Sequence, residues 1–229
     1  SMFEIIKKYH LITNFPKDYP FYKKISANFI YFITGLVIHK RKNQLNHVDL
    51  LKARLKLRKG DVVLWGNLRE VSSLFIKGPV THASLYIGRK KFVEAVGDGV
   101  GVNSLHHFFT EYDTMIIMRL PKGIKNRKKI ISLTIKHALE QVGKPYDFDF
   151  SGKANKFFCT ELVNYSFKKA GHKTKLNTIG KFKKSEKDIL KKFIPASRAL
   201  HPIEFAQKGN FRIIFLSHNL QFEKRITLK

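Results

Sequence analysis

Cys159 is the only cysteine in this 229-residue chain, and it stands where the irregular aromatic stretch Asn155 to Phe158 gives way to a helical pattern that closes at Gly171. The first turn of a helix offers unpaired N–H groups and a positive dipole end, which favour a thiolate over a thiol. A thiol placed there can attack an acyl carbon once a base takes its proton. The expected base is a histidine on a rigid element, with a third polar group to orient its ring. His82 opens the strand-like segment "HASLYIG", and Glu94 lies twelve positions later in "KFVEAV". Side chains alternate along a strand, so register decides whether the two meet. A two-residue loop of Arg89 and Lys90 pairs Gly88 with Lys91 and turns Glu94 away from His82. A three-residue loop, Gly88 to Lys90, sets Glu94 opposite Ser84 and diagonal to His82, roughly 7–8 Å away and within side-chain reach. A working triad therefore calls for the odd loop.

Other polar residues carry weaker signals. Asp147 and Asp149 in "YDFDF" follow a Gly-Lys-Pro turn. They can contact a substrate amine or a cation, but turn capping is the favoured reading. His106 and His107 read as the start of a helix whose Phe108 and Phe109 pack inward. One cysteine excludes an intramolecular disulfide and any multi-cysteine metal site. No His/Cys/Asp cluster has metal-ligand spacing, so neither a metal nor a cofactor is expected.

The elements that must position these residues are legible as a change of period. After "HVDLLKARLKL", with Val48, Leu51 and Leu55 near helical spacing, come five short strand-like runs. They are "KGDVVLWG", "THASLYIG", "KFVEAV", "GVGVNS" and "TMIIMRL", separated by glycines, Asp98 and Pro121. They predict an antiparallel meander. A helix follows from Arg127 to Val142, ended by Gly143 and Pro145, and the cysteine helix comes next. Beyond it a Lys-rich connection leads to "PIEFAQKGNFRIIFL", read as a short helix opened by Pro202 and a last strand. The chain is long enough for one core domain, placed at residues 57–229, with a helical extension over residues 1–56.

Charge and the extension bear on partners. Forty-four Lys+Arg against 17 Asp+Glu give a net +27, which predicts attraction to an anionic surface such as a membrane or a cell wall. Basic runs occur at His39 to Lys42, Lys125 to Lys129 and Lys181 to Lys184. Nucleic acid is not the expected partner, since no finger, RNA-binding signature or regular basic-aromatic interleaving is present. "ISANFIYFITGLVI", Ile25 to Ile38, is apolar nearly all round but shorter than the roughly 20 residues that span a bilayer as a helix. Packing on the domain is the favoured reading, and a helix lying in a membrane interface is the other. Ser1-Met2 reads as a tag remnant with no leader after it. The compartment stays open: cytoplasmic or membrane-associated if that start is native, cell envelope if a signal peptide was removed.

Taken in order, "LRKGDVVLWG", "THASLYIGRKKFVEA", "GKPYDFDF" and "FFCTELV" resemble the circularly permuted branch of the NlpC-type papain-like cysteine hydrolases, close to the YiiX-like proteins. "IPASRALHPIEFAQKGNFRIIF" resembles the trailing segment of that family. The resemblance implies an α+β fold in which an antiparallel sheet or half-barrel packs against helices, including the cysteine helix. It also implies Cys159 as nucleophile, His82 as base, Glu94 as the orienting residue, and Tyr146 as a residue of the oxyanion and substrate-binding site. Tyr146 can equally be an aromatic wall. The expected activity is an amidase or peptidase working on a peptide or acyl-amide through an acyl-thioester. The alternatives are a lipid-directed thiol acyltransferase or acyl hydrolase, and a basic binding module with an inactive thiol. Against the acyltransferase, "CTELV" lacks the Asn-Cys-Glu-His signature of the lecithin:retinol acyltransferase-like cousins.

Overall fold

A computed structural model describes residues 10–37, 44–74, 76, 78–178 and 199–229. The basic runs at 39–42 and 181–184 fall outside these residues. Six strands, β1 (Val62–Gly66), β2 (His82–Gly88), β3 (Lys91–Val96), β4 (Gly99–Ser104), β5 (Thr114–Arg119) and β6 (Arg212–Leu216), form one antiparallel sheet in the order β4-β3-β2-β1-β5-β6. The expected meander holds for β1 to β4. β5 departs from it by returning to the far side of β1, which becomes a central strand, and all five residues of β1 are buried. Two further strands, β7 (Leu220–Phe222) and β8 (Ile226–Leu228), make a hairpin after the strand read from sequence as the last.

The strands are apolar on both sides because both faces of the sheet are covered. Val62, Leu64, Ala83, Leu85, Val93 and Ala95 join a cluster with Ala138 of α4 (Arg127–Leu139) and Leu162, Val163 and Phe167 of α5 (Cys159–Lys169). The odd-numbered partners on β1 and β5, Val63, Trp65, Met115 and Ile117, join Tyr86 and Phe92 on the opposite face. Covering them are Ala53 of α2 (His47–Lys56) and Leu105 and Phe108 of α3 (Leu105–Glu111). Burial on both faces replaces the alternating pattern of a half-exposed sheet with near-continuous hydrophobic runs.

In two helices the apolar residues do not mark the buried face, and for the N-terminal one this stands against the favoured packing. In α2 the spaced residues Val48, Leu51 and Leu55 point outward, Leu55 being 87% exposed, while Asp49 and Ala53 face in. Asp49 sets that rotation. It closes a capping box with Asn46 and accepts from the His218 backbone N–H at 2.9 Å, which anchors the helix to the chain beyond β6. The N-terminal helix α1 (Phe21–Thr34) buries only Ala27, so its apolar face is not packed on the domain. The segment is held by polar contacts, among them His10 to Asp98 at 2.7 Å and Asn14 Nδ2 to the Asp98 carbonyl at 2.9 Å, and by the buried Ile12 and the Phe15–Phe148 ring contact.

Candidate active site

The turn joining β2 to β3 decides the site. Arg89 and Lys90 have φ of 51° and 58°, a two-residue turn of the primed type, and Gly88 pairs with Lys91. The three-residue loop expected from sequence is therefore absent. The odd residue enters instead as a bulge between Tyr86 and Gly88, which resets the register so that Ser84 faces Glu94. The outcome for side-chain direction is the one a triad needs. His82 and Glu94 share a face, and the His82 Nε2–H donates to Glu94 Oε2 at 2.5 Å with both side chains buried.

Sequence reading missed a third member of this chain of bonds. Asn103 Nδ2 donates to Glu94 Oε1 at 2.6 Å, so both carboxylate oxygens are engaged. On β4, Gly101 is the residue directly opposite Glu94 and Asn103 is its diagonal neighbour, within reach along the same face. The period-two step from Gly101 to Asn103 in "GVGVNS" was the available signal. The imidazole is also walled: the Tyr112 ring lies nearly parallel to it at 5.6 Å and the Phe108 ring at 6.2 Å. Phe108 packs inward as expected, and the histidine is part of what it packs against.

Cys159 is half-buried and is the first residue of α5. The sulfur lies close enough to the His82 ring to bear on its charge, and since Nε2 is committed to Glu94, Nδ1 is the nitrogen left to face it. Burial disfavours a charge on His82, but the neighbouring Cys159 and the bond to Glu94 outweigh it and push the pKa up to about 10. Burial likewise works against ionised Glu94. The bonds from His82 and Asn103 overcome it and hold the carboxyl below its ordinary range.

Tyr146 reaches the same place from another segment. It forms a parallel bridge with Phe157, two residues before Cys159, and the Phe157 N–H donates to the Pro145 carbonyl at 3.1 Å. Burial, followed by the charges of Cys159, Asp147 and Glu161, raises its phenol well above the ordinary value, so it stays a proton donor. Asp147 is fully buried: it accepts from the backbone N–H groups of Ser151 and Gly152 at 2.7 and 3.2 Å and pairs with Lys156 at 3.0 Å. It caps the loop, as the favoured reading had it, and keeps no surface to offer a substrate. Asp149 is partly exposed and gives its carboxylate to Lys156 at 2.6 Å and Lys23 at 3.3 Å.

Glu161 escaped the sequence reading altogether. It is buried at the third position of α5, with Oε2 3.4 Å from the Phe158 N–H. Burial, aided by the charge of Asp147, lifts its carboxyl to about 8. Its place three residues after Phe158, where a helix-capping glutamate falls, was a usable sign.

Residues 56–215 match a family model described as permuted papain-like amidase enzyme, YaeF/YiiX, C92 family. Among solved structures the chain is similar to the metalloprotein yiiX from Escherichia coli O157:H7, at 19% identity and a TM-score of 0.54 over 70% of this chain and 97% of that one. That likeness shows a shared fold. No curated protein matches. The word metalloprotein describes yiiX; in this chain, among the described residues, no group of three or more His, Cys, Asp or Glu side chains could hold a metal ion. The family match covers well over half of the chain, from the strand that begins the sheet to the one that closes it, and the chain belongs to the permuted papain-like amidases of the YaeF/YiiX type.

Proposed function

We propose that this amidase works through Cys159 as a covalent nucleophile, with His82 as its proton carrier and Glu94 as the orienting group. The observation that carries the reading is the line of hydrogen bonds from His82 through Glu94 to Asn103, set beside a thiol at a helix N-terminus. A histidine whose pKa is pushed up by its bond to Glu94 and by the neighbouring sulfur is basic enough to take the thiol proton. The thiolate attacks the amide carbon, and the oxyanion is met by the Cys159 backbone N–H and the Tyr146 hydroxyl. His82 then passes its proton to the leaving amine, the C–N bond breaks and an acyl-thioester remains. A water gives its proton to His82 as its oxygen attacks the thioester, and the carboxylic acid leaves with the thiolate restored. The substrate class is a peptide or acyl-amide. If an amine or hydroxyl replaces water in the second half, the same intermediate gives acyl transfer.

Intact-mass measurement during turnover of an acyl-amide panel tests this. The expected result is an acyl adduct on Cys159 that disappears in Cys159→Ala together with activity. Turnover that survives Cys159→Ala would remove the proposal.

A further inference from the structure

We propose that α1 and the chain just before it form an interfacial anchor that docks on an anionic lipid bilayer. Leu11, Phe21, Ile25 and Phe29 are 66, 78, 56 and 64% exposed and, with Phe32, line an open groove of about 600 Å³ whose rim includes Lys24. Monomeric proteins seldom leave so many large apolar groups contiguous and uncovered, and such patches mark interaction sites. Positions 21, 25, 29 and 32 recur at helical spacing, so the apolar stripe runs along α1. At 14 residues the helix is about 21 Å long, which suits lying in an interface. Among the described residues no helix is long and apolar enough to cross a membrane.

Charge selects the occupant. A second copy of the chain carries the same net +27 and would be repelled as a whole, whereas acidic headgroups would be attracted. A polar cell-wall polymer could answer the charge but would leave the phenylalanines in water. An anionic bilayer satisfies both. Position adds a further reason: Phe15 stacks on Tyr19 and touches Phe148 at 6.2 Å, and Phe148 touches Tyr146 at 4.9 Å. Lys23 pairs with Asp149 in the same loop. The anchor is thus joined by an aromatic row to the segment that carries Tyr146 and leads to Cys159, and docking would hold the cleft at the lipid surface.

The test uses the full chain and reads binding, so it is independent of the chemistry at Cys159. Co-sedimentation is measured with phosphatidylcholine vesicles, with and without phosphatidylglycerol, at low and high salt. The wild type should bind the anionic vesicles, lose much of that binding in salt, and bind neutral vesicles more weakly. The combined variant Phe21→Ser, Ile25→Ser, Phe29→Ser keeps the charge unchanged, and its partitioning should fall at least about tenfold with the thermal midpoint preserved. Equal binding by wild type and variant would overturn the proposal, because charge alone would then suffice. Absence of vesicle binding would also overturn it, whether the wild type dimerises through this face or pellets with isolated cell walls instead.

Discussion

Two polar-apolar boundaries in this molecule are built in opposite ways. At His82 and Glu94 ionisable groups are sunk among Trp65, Phe92 and Phe108, with both carboxylate oxygens of Glu94 and the Nε2 of His82 hydrogen-bonded. At α1 large apolar groups are held out in solvent on a segment fixed by polar bonds such as His10 to Asp98. The first arrangement is stable because the desolvation cost of charge is offset by short, charge-assisted bonds. The second forgoes hydrophobic stabilisation that folding could have used. Apolar content therefore says little about burial until the polar anchors of a segment are known, and chemistry resides where burial works against charge.

Breaking the buried boundary should have the largest effect. His82→Ala removes the proton carrier, and amide turnover is expected to fall ~10²–10⁴-fold. Iodoacetamide labelling of Cys159 at neutral pH should slow as well, measured as a pseudo-first-order rate in both proteins. Equal labelling rates would separate the thiol from the imidazole and favour a binding module with an inert cysteine.

The β2–β3 register supplies a sharper cut. Deleting Ile87 removes the bulge residue while sparing every proposed catalytic group, and with Gly88 kept on Lys91 the residues Tyr86, Leu85 and Ser84 keep Phe92, Val93 and Glu94 as partners in a regular ladder. Glu94 then stays on the face of His82, so most activity should survive, in contrast to the loss expected in Glu94→Gln. A hydrogen-exchange or crystallographic comparison would show the register directly. Activity lost to the level of Glu94→Gln with the register intact would mean that the bulge itself, and not the pairing alone, aims the ring.

Most of the framework is legible in the sequence, for physical reasons that differ from part to part. The strands follow from apolar runs broken by turn residues, and α5 from the stripe Leu162, Val163, Phe167 behind a helix-ending Gly171. Facing is harder to read. The Val48, Leu51, Leu55 spacing implies an inward stripe, yet the long-range bond from His218 to Asp49 rotates α2 the other way. The bulge is hidden for a similar reason, since Ile87 looks like any strand residue and only the pairing of its neighbours reveals the extra position. Asn103 and Glu161 carry only faint local signs, a period-two step and a capping position; their roles come from what lies opposite or beneath them.

Acid–base behaviour separates two buried groups near the thiol. The pKa of Glu161 is raised from 4.5 to about 8, so the folded protein binds more protons than the unfolded chain between those values, and stability falls as pH rises through them. Glu161→Gln should flatten that part of the curve and stabilise the protein by on the order of 1–3 kcal/mol above pH 8. His82, raised from 6.5 to about 10, contributes stability that is fully present below pH 6.5 and is lost as pH rises through 10. His82→Gln should flatten that higher window. Denaturant titrations across pH read both, and a Glu161→Gln curve with the wild-type slope below pH 8 would reassign the titrating group.

The smallest effect is expected at the exposed boundary, and it completes the comparison. Phe21, Ile25 and Phe29 lie more than half in water, so replacing them with serine removes little buried area and leaves the polar ties of the segment intact. Unfolding free energy should stay within about 0.5 kcal/mol per substitution, as at ordinary surface sites. A core phenylalanine such as Phe92 or Phe108, fully buried against Trp65, should by contrast cost ~3–5 kcal/mol when cut to alanine. If the serine variants destabilised the chain as strongly as the core ones, α1 would be a packed element of the fold in solution, and its face would not be free to meet a membrane.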